Sequence, residues 1–141
     1  MGTQSMGNEN YKELGSVTKW MIPAENVGTV TAEMPVLHAY ELMTKQELSS
    51  LPVTENGRLL GTITRQTTAG YVPQSNQAMA QTTLNEVMTT DPLTLPPETA
   101  VQEAAKLMLA EEIDTIPIVD EANILLGIIR LEDILYIITR A

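Results

Sequence analysis

The sequence predicts a mixed α/β (α+β) fold made of two β-α-β-β-α repeats, and three observations carry that expectation. First, Leu51 to Thr67 and Ile116 to Asp133 share one design, two short branched apolar runs around a polar turn. Runs of that length bounded by turn residues read as β-hairpins. Second, a shift of 65 residues lays Thr29 on Thr94, Glu33 on Glu98, Val36 on Val101, Leu42-Met43 on Leu107-Met108 and Pro52 on Pro117. One extra residue in the second turn makes the offset 66, which pairs Leu59-Leu60-Gly61 with Leu125-Leu126-Gly127 and Ile63 with Ile129. Identity spread this evenly marks duplication of one structural unit. Third, each unit has about 60 residues, a size that buries only about 60% of its unfolded surface alone. Two units packed face to face make up the deficit, so one compact domain is expected.

In chain order, Met1 to Asn10 lacks periodicity and reads as a disordered tail. The first repeat is expected over 11–68, a linker over 69–83 and the second repeat over 84–141. From Tyr11, the spacing of Leu14, Val17, Trp20 and Met21 predicts a short amphipathic helix ended by Pro23. Val27 to Thr31 reads as a short strand. Pro35 opens a helix to about Leu48, with Val36, Ala39, Tyr40 and Met43 on one face. In the hairpin that follows, Asn56-Gly57 is the dipeptide a type I′ turn prefers. Gln66 to Thr83 is turn-rich, with Gly70, Pro73, Ser75 and Asn76, and finishes a short helix before linking the repeats. Leu84 to Met88 then matches Val17 to Met21, and Leu93 to Leu95 matches the first strand. A helix from about Ala100 to Glu111 follows, where Thr99 and Gln102 have capping-box spacing. After the second hairpin, Glu132 to Arg140 makes a closing helix.

Composition removes several functions. The 141 residues hold one domain and a modest core. There is no Cys, which excludes disulfides and thiolate metal sites. No apolar run approaches the ~20 residues of a membrane helix, and no signal segment opens the chain. A cytoplasmic protein is the expectation. The formal net charge of −10, from 18 acidic and 8 basic residues, argues against nucleic-acid binding. An anionic ligand would be met by few cations, so the placement of Arg58, Arg65, Arg130 and Arg140 is informative. One His and no Cys make a transition-metal site improbable. His38 is expected to face outward, and Glu111, Glu112 and Asp114 read as a solvated helix end, with weak Mg²⁺ binding a minority option. The Leu-Met pairs read as core filler.

These residues resemble a tandem pair of CBS (cystathionine-β-synthase) domains, the Bateman module, from Val17 to Ala141. The resemblance rests on Met88-Thr89-x-x-Pro92, the helices carrying Leu-Met, and the Pro-Val/Ile strand in each repeat. It rests also on Gly61-Thr62-Ile63-Thr64-Arg65-Gln66-Thr67 and its counterpart Gly127-Ile128-Ile129-Arg130-Leu131-Glu132-Asp133. It implies a pseudo-twofold module with two clefts between the repeats and a flat homodimer. It also implies a regulatory adenosine-containing ligand such as AMP, ADP, ATP, S-adenosylmethionine or a dinucleotide, sometimes with Mg²⁺, and no catalytic cofactor.

Carried over residue by residue, the resemblance implies a main cleft of Val27, Gly28, Ser50, Leu51, Pro52, Arg130 and Asp133. There Asp133 would accept ribose hydroxyls; the alternative is a helix cap or macrodipole partner. Arg130 replaces the family's Thr/Ser and would either hold a phosphate or pair with Asp133 or Glu132. Gly28 leaves room for a purine against the backbone. A weaker cleft is implied at Thr64, Arg65, Thr67, Pro92, Leu93, Thr115 and Ile116, because Thr67 stands where the family expects Asp. Arg65 would reach phosphate or solvent. Each apolar residue among these also reads as core. The expected function is a non-catalytic nucleotide sensor acting on an unidentified partner; the alternative is a ligand-free structural dimer. An enzyme lacks support, since the sequence offers no nucleophile–base pair and no phosphate-binding Gly-Lys loop.

Overall fold

Each half of the chain folds around an antiparallel hairpin in the computed structural model, which describes residues 14–71 and 76–140. The expectations for Met1 to Asn10, for a helix start at Tyr11 and for Pro73 and Ser75 lie outside those residues. In order, the elements are α1 (Val17–Trp20), β1 (Ile22–Pro23), a 3₁₀ turn (Ala24–Asn26), α2 (Val36–Gln46), β2 (Ser50–Glu55) and β3 (Arg58–Thr64). Then come α3 (Arg65–Ala69), α4 (Asn76–Gln81), α5 (Leu84–Val87), α6 (Val101–Glu111), β4 (Thr115–Val119), β5 (Leu125–Arg130) and α7 (Leu131–Arg140). The strands make a β1-β5-β4 sheet and a β2-β3 sheet.

The duplication is visible in the registers. Ser50 faces Thr64 and Leu51 faces Ile63 in the first hairpin; Thr115 faces Arg130 and Ile116 faces Ile129 in the second. Asn56 and Gly57 have φ of 54° and 83°, the pair of positive values a type I′ turn requires. Burial alternates along β3, whereas β2 and β4 are buried through their centres. Ile63 is buried in β3 between the partly exposed Thr62 and Thr64, and Ile116 is buried in β4 beside Thr115.

Two expectations are corrected. The strands read at Val27 to Thr31 and at Leu93 to Leu95 shrink to single parallel bridges, Val30 with Val53 and Leu95 with Ile118. Val30 donates to the Pro52 carbonyl and Leu95 to the Pro117 carbonyl, but neither proline has the N–H that would extend the ladder backward. The capping box read at Thr99 and Gln102 also does not form. The α6 helix starts one residue later, with Ala100 at the N-cap, and the Thr99 hydroxyl donates to the Pro96 carbonyl. A capping box is built instead at α5, where the Thr83 N–H donates to Glu86 Oε2 at 2.9 Å. That donated bond holds the Glu86 carboxyl below its ordinary pKa.

The halves interlock through their entry segments. Val17 donates its N–H to Thr99 O at 2.8 Å, and Leu84 donates to Met34 O at 2.9 Å. Ile22 pairs with Ile128, while Thr89 bridges Thr62. Leu84 from the second half is buried in the first core with Val36, Met43, Leu51 and Ile63. Leu14 and Val17 from the first half are buried in the second core with Val101, Met108, Ile116 and Ile129. Full burial of such a side chain stabilises by roughly 1.5–3 kcal/mol. The hairpin tips also join, because Leu59 donates to Asn123 O and Leu125 to Gly57 O.

Gly61 and Gly127 occupy the seam. A Cβ at Gly61 would run into the carbonyl oxygen of Thr89, and one at Gly127 into that of Ile22. Glycine is required there for close backbone approach. Gly61→Ala and Gly127→Ala should therefore each cost about 1–3 kcal/mol in urea unfolding. Gly70→Ala, whose Cβ would lie 3.3 Å from the Thr67 carbonyl oxygen and away from the seam, is the control; equal behaviour of all three would contradict the seam geometry.

Candidate functional site

The interlock leaves a cleft of about 690 Å³ between the repeats. The first repeat contributes Ser49, Ser50, Thr62, Thr64 and Arg65; the second contributes Asp91, Pro92, Leu93, the end of α6 and Thr115. Strand alternation sets its hydroxyls, since Thr64 and Thr115 project from the faces opposite buried Ile63 and Ile116. One wall is apolar, from Leu93, Leu109 and Ile113, with Leu93 and Leu109 exposed. Another is acidic, from Asp91, Glu112 and Asp114.

Several of these groups are held in place. Asp114 Oδ1 accepts from the hydroxyls of Ser49 and Thr115. Ser49 and Asp114 are equivalent positions of the two repeats, so this contact sits where the repeats meet. Thr64 Oγ1 accepts the Thr67 N–H at 3.1 Å and donates to Thr67 Oγ1 at 2.9 Å. Arg65 reaches neither a free cleft position nor only solvent. Its Nη2 donates to Met43 O at 2.8 Å and its Nε to Leu48 O at 3.2 Å, closing the C-terminal end of α2. The Arg65 backbone N–H is engaged too, by Ser49 O at 2.7 Å.

The pseudo-equivalent region around Arg130 is built differently. Arg130 donates from Nε to Asp133 Oδ2 and from Nη2 to Asp133 Oδ1, both at 2.8 Å. Glu132 adds a 3.5 Å contact to Nη1. This bidentate pair is 22% exposed on Arg130 and 30% on Asp133, and it raises the guanidinium pKa further above its ordinary value. The adjoining hollow is about 310 Å³, lined by Val27, Gln46, Leu48, Ile128 and Arg130 among others. Over Gly28, where a purine was expected, lie the side chains of Gln46 and Leu42.

Of the residues expected in the weaker cleft, Thr64, Arg65, Pro92, Leu93 and Thr115 line the large one, whereas Thr67 and the fully buried Ile116 do not. Of those expected in the main cleft, Val27 and Arg130 line the smaller hollow. Leu51 and Pro52 are buried, Ser50 opens onto the large cleft, and Asp133 is engaged by Arg130. His38 is exposed, as expected. Sequence reading passed over Ser49, Asp91 and Leu109. Glu111, Glu112 and Asp114 are exposed at the end of α6, as expected, and Glu112 and Asp114 also line the cleft. Among the described residues no group of three or more His, Asp or Glu side chains converges to hold a metal ion, and no helix is long and apolar enough to cross a membrane.

Comparison with known proteins places this geometry. A match to the CBS domain family covers residues 17–69 and 84–140. The CBS domain-containing protein YhcV of Bacillus subtilis is 32% identical over 108 residues, 77% of this chain and 76% of that protein. Inosine-5'-monophosphate dehydrogenase of Korarchaeum cryptofilum is 33% identical over 111 residues, 79% of this chain. The chain spans 22% of that enzyme's length, and a similar share of the other first curated relatives it matches. Among solved structures, CBSX2 in complex with AMP superposes with TM-score 0.79 at 23% identity, covering 89% of this chain and 97% of that one. The CBS domain pair of protein MJ0100, in complex with 5'-methylthioadenosine and S-adenosyl-L-methionine, superposes with TM-score 0.75 at 23% identity, covering 89% and 96%. At those identities the superpositions establish the shared fold.

A double-mutant cycle on Arg130→Ala and Asp133→Ala should return a coupling of about 1 kcal/mol, reduced by salt, as expected of a partly exposed bidentate pair. Zero coupling at low salt would mean that the pair does not fill this region.

Proposed function

This chain belongs to the CBS domain family, as a tandem pair, and from that premise we propose that it is a non-catalytic regulatory module sensing an adenosine-containing ligand. The observation that carries the proposal is the cleft of about 690 Å³, within the roughly 300–1,000 Å³ range of small-molecule sites. Both repeats line it, so a bound nucleoside would favour one arrangement of the halves over another, and differential affinity of that kind is what a sensor needs. AMP bound to CBSX2, and 5'-methylthioadenosine with S-adenosylmethionine bound to MJ0100, support the ligand class. In this proposal the purine lies on the Leu93 and Leu109 wall, and the Ser50, Thr64 and Thr115 hydroxyls meet the ribose.

The proposal puts the ligand in the cleft of Thr64 and Thr115 rather than beside Asp133. A carboxylate already gripped by both donors of an arginine fork is a poor partner for a ribose diol. The module would act in the cytoplasm on a regulated protein, as part of a homodimer. A second reading, a structural dimer with empty clefts, is favoured by the exposure of Leu135 (51%) and Tyr136 (59%) on α7.

Thermal unfolding of the purified chain with adenosine, AMP, ATP and S-adenosylmethionine tests the proposal. A ligand at about 100 times its Kd should stabilise by about 2.7 kcal/mol. The double variant Thr64→Arg with Thr67→Asp, which copies the Arg130–Asp133 pair into the large cleft, should fold and lose the response. No response from the unaltered chain to any of the four, with a ligand-independent dimer in sedimentation, would leave the structural reading standing.

A further inference from the structure

The large cleft carries an unusual charge balance for a site that would take nucleotides. Asp91, Glu112 and Asp114 line it, against the single cation Arg65. Both Nε and Nη2 of Arg65 are committed to the carbonyls of Leu48 and Met43, so its fork is turned toward the end of α2. Two backbone donors at the start of α3 that could greet a phosphate are engaged within the chain. The Arg65 N–H goes to Ser49 O and the Thr67 N–H to Thr64 Oγ1. Asp114 is fixed by two hydroxyl donors, so it stays aimed where it is. The whole chain adds a net charge of −10 to the same sign.

Resting on the proposed function above, we propose that this cleft discriminates adenosine derivatives by charge. It takes cationic or neutral ones, such as a sulfonium nucleoside, and disfavours phosphorylated ones, with Asp91, Glu112 and Asp114 as the specificity-determining residues. A fixed positive charge on the 5′ substituent is attracted by three carboxylates, whereas a phosphate brings two negative charges to the same place with only Arg65, its fork turned toward the end of α2, to set against those carboxylates. The carboxylates border the cleft without converging on one point, which suits a diffuse attraction for a ligand cation.

Calorimetric titration of the full chain at low salt, with chelator present so that Mg²⁺ does not mask phosphate charge, decides the matter. S-adenosylmethionine and S-adenosylhomocysteine differ by one methyl group and one positive charge, and adenosine and AMP differ by the phosphate. The sulfonium should bind roughly tenfold tighter than its thioether, and adenosine tighter than AMP by a similar factor. Both gaps should close near 1 M salt, where the Debye length is about 3 Å. Asp91→Asn with Glu112→Gln, which leaves the anchored Asp114 in place, should narrow them at low salt. Equal affinity for sulfonium and thioether, tighter binding of AMP than of adenosine, or no effect of the double variant would each overturn the charge selectivity. Absence of binding by all four compounds would instead remove the sensor reading itself, a distinct outcome.

Discussion

Two backbone hydrogen bonds, Val17 N–H to Thr99 O and Leu84 N–H to Met34 O, fasten each repeat's entry segment onto the other half. Everything else in the structure depends on that exchange. A repeat of about 60 residues is too small to bury a sufficient core alone, and here neither tries. Leu84 completes the first core, and Leu14 and Val17 complete the second. The backbones come close enough at the seam that only glycine fits at positions 61 and 127. Because the halves are joined along strands and at their hairpin tips, the space left between them is a cleft with walls from both.

Duplication gives the two hairpins matching registers, and the side chains that end them differ. The residue ending each hairpin contacts the residue three positions on. Thr64 meets Thr67 through a pair of small hydroxyls. Arg130 meets Asp133 through a forked ion pair. The first arrangement is short and leaves room; the second extends into its own cleft and satisfies itself. A charged pair that is paired internally gains little by exchanging its partner for a neutral sugar, whereas an open, partly apolar cleft loses water when filled. This difference in side-chain length and charge is the ground for proposing the Thr64 cleft, rather than the Arg130 cleft, as the ligand site.

Much of the fold was legible because it is repeated. Gly61 and Gly127, Pro52 and Pro117, and the Leu-Met pairs recur at fixed offsets, and one unit read twice exposes elements that either copy alone would leave ambiguous. The hairpins and their turn at Asn56-Gly57 are readable from pattern alone, whereas α4 (Asn76–Gln81), which buries Met79 in the first core, falls in the 69–83 stretch that its turn residues predict as a linker. The short strands at Val30 and Leu95 were overstated, since periodicity does not register the donor that a proline on the neighbouring strand lacks. The capping box fell on the wrong Thr. Thr99 and Thr83 both offer suitable spacing, but the Thr99 hydroxyl donates to the Pro96 carbonyl and α6 starts after Ala100. Within the site, residue identities were readable but their partners were not. That Arg65 turns toward the end of α2, that Gln46 and Leu42 cover Gly28, and that Arg130 and Asp133 lock together are tertiary facts.

The central claim is positional, that a nucleoside enters between Thr64 and Thr115 and leaves the Arg130–Asp133 pair undisturbed. Titration of isotopically labelled protein with S-adenosylmethionine, followed by amide NMR, tests it directly. The account predicts shifts at residues 62–66, 91–93 and 112–115, with Arg130 to Asp133 unmoved. Shifts confined to Arg130 to Asp133 and Val27 to Gly28 would contradict it.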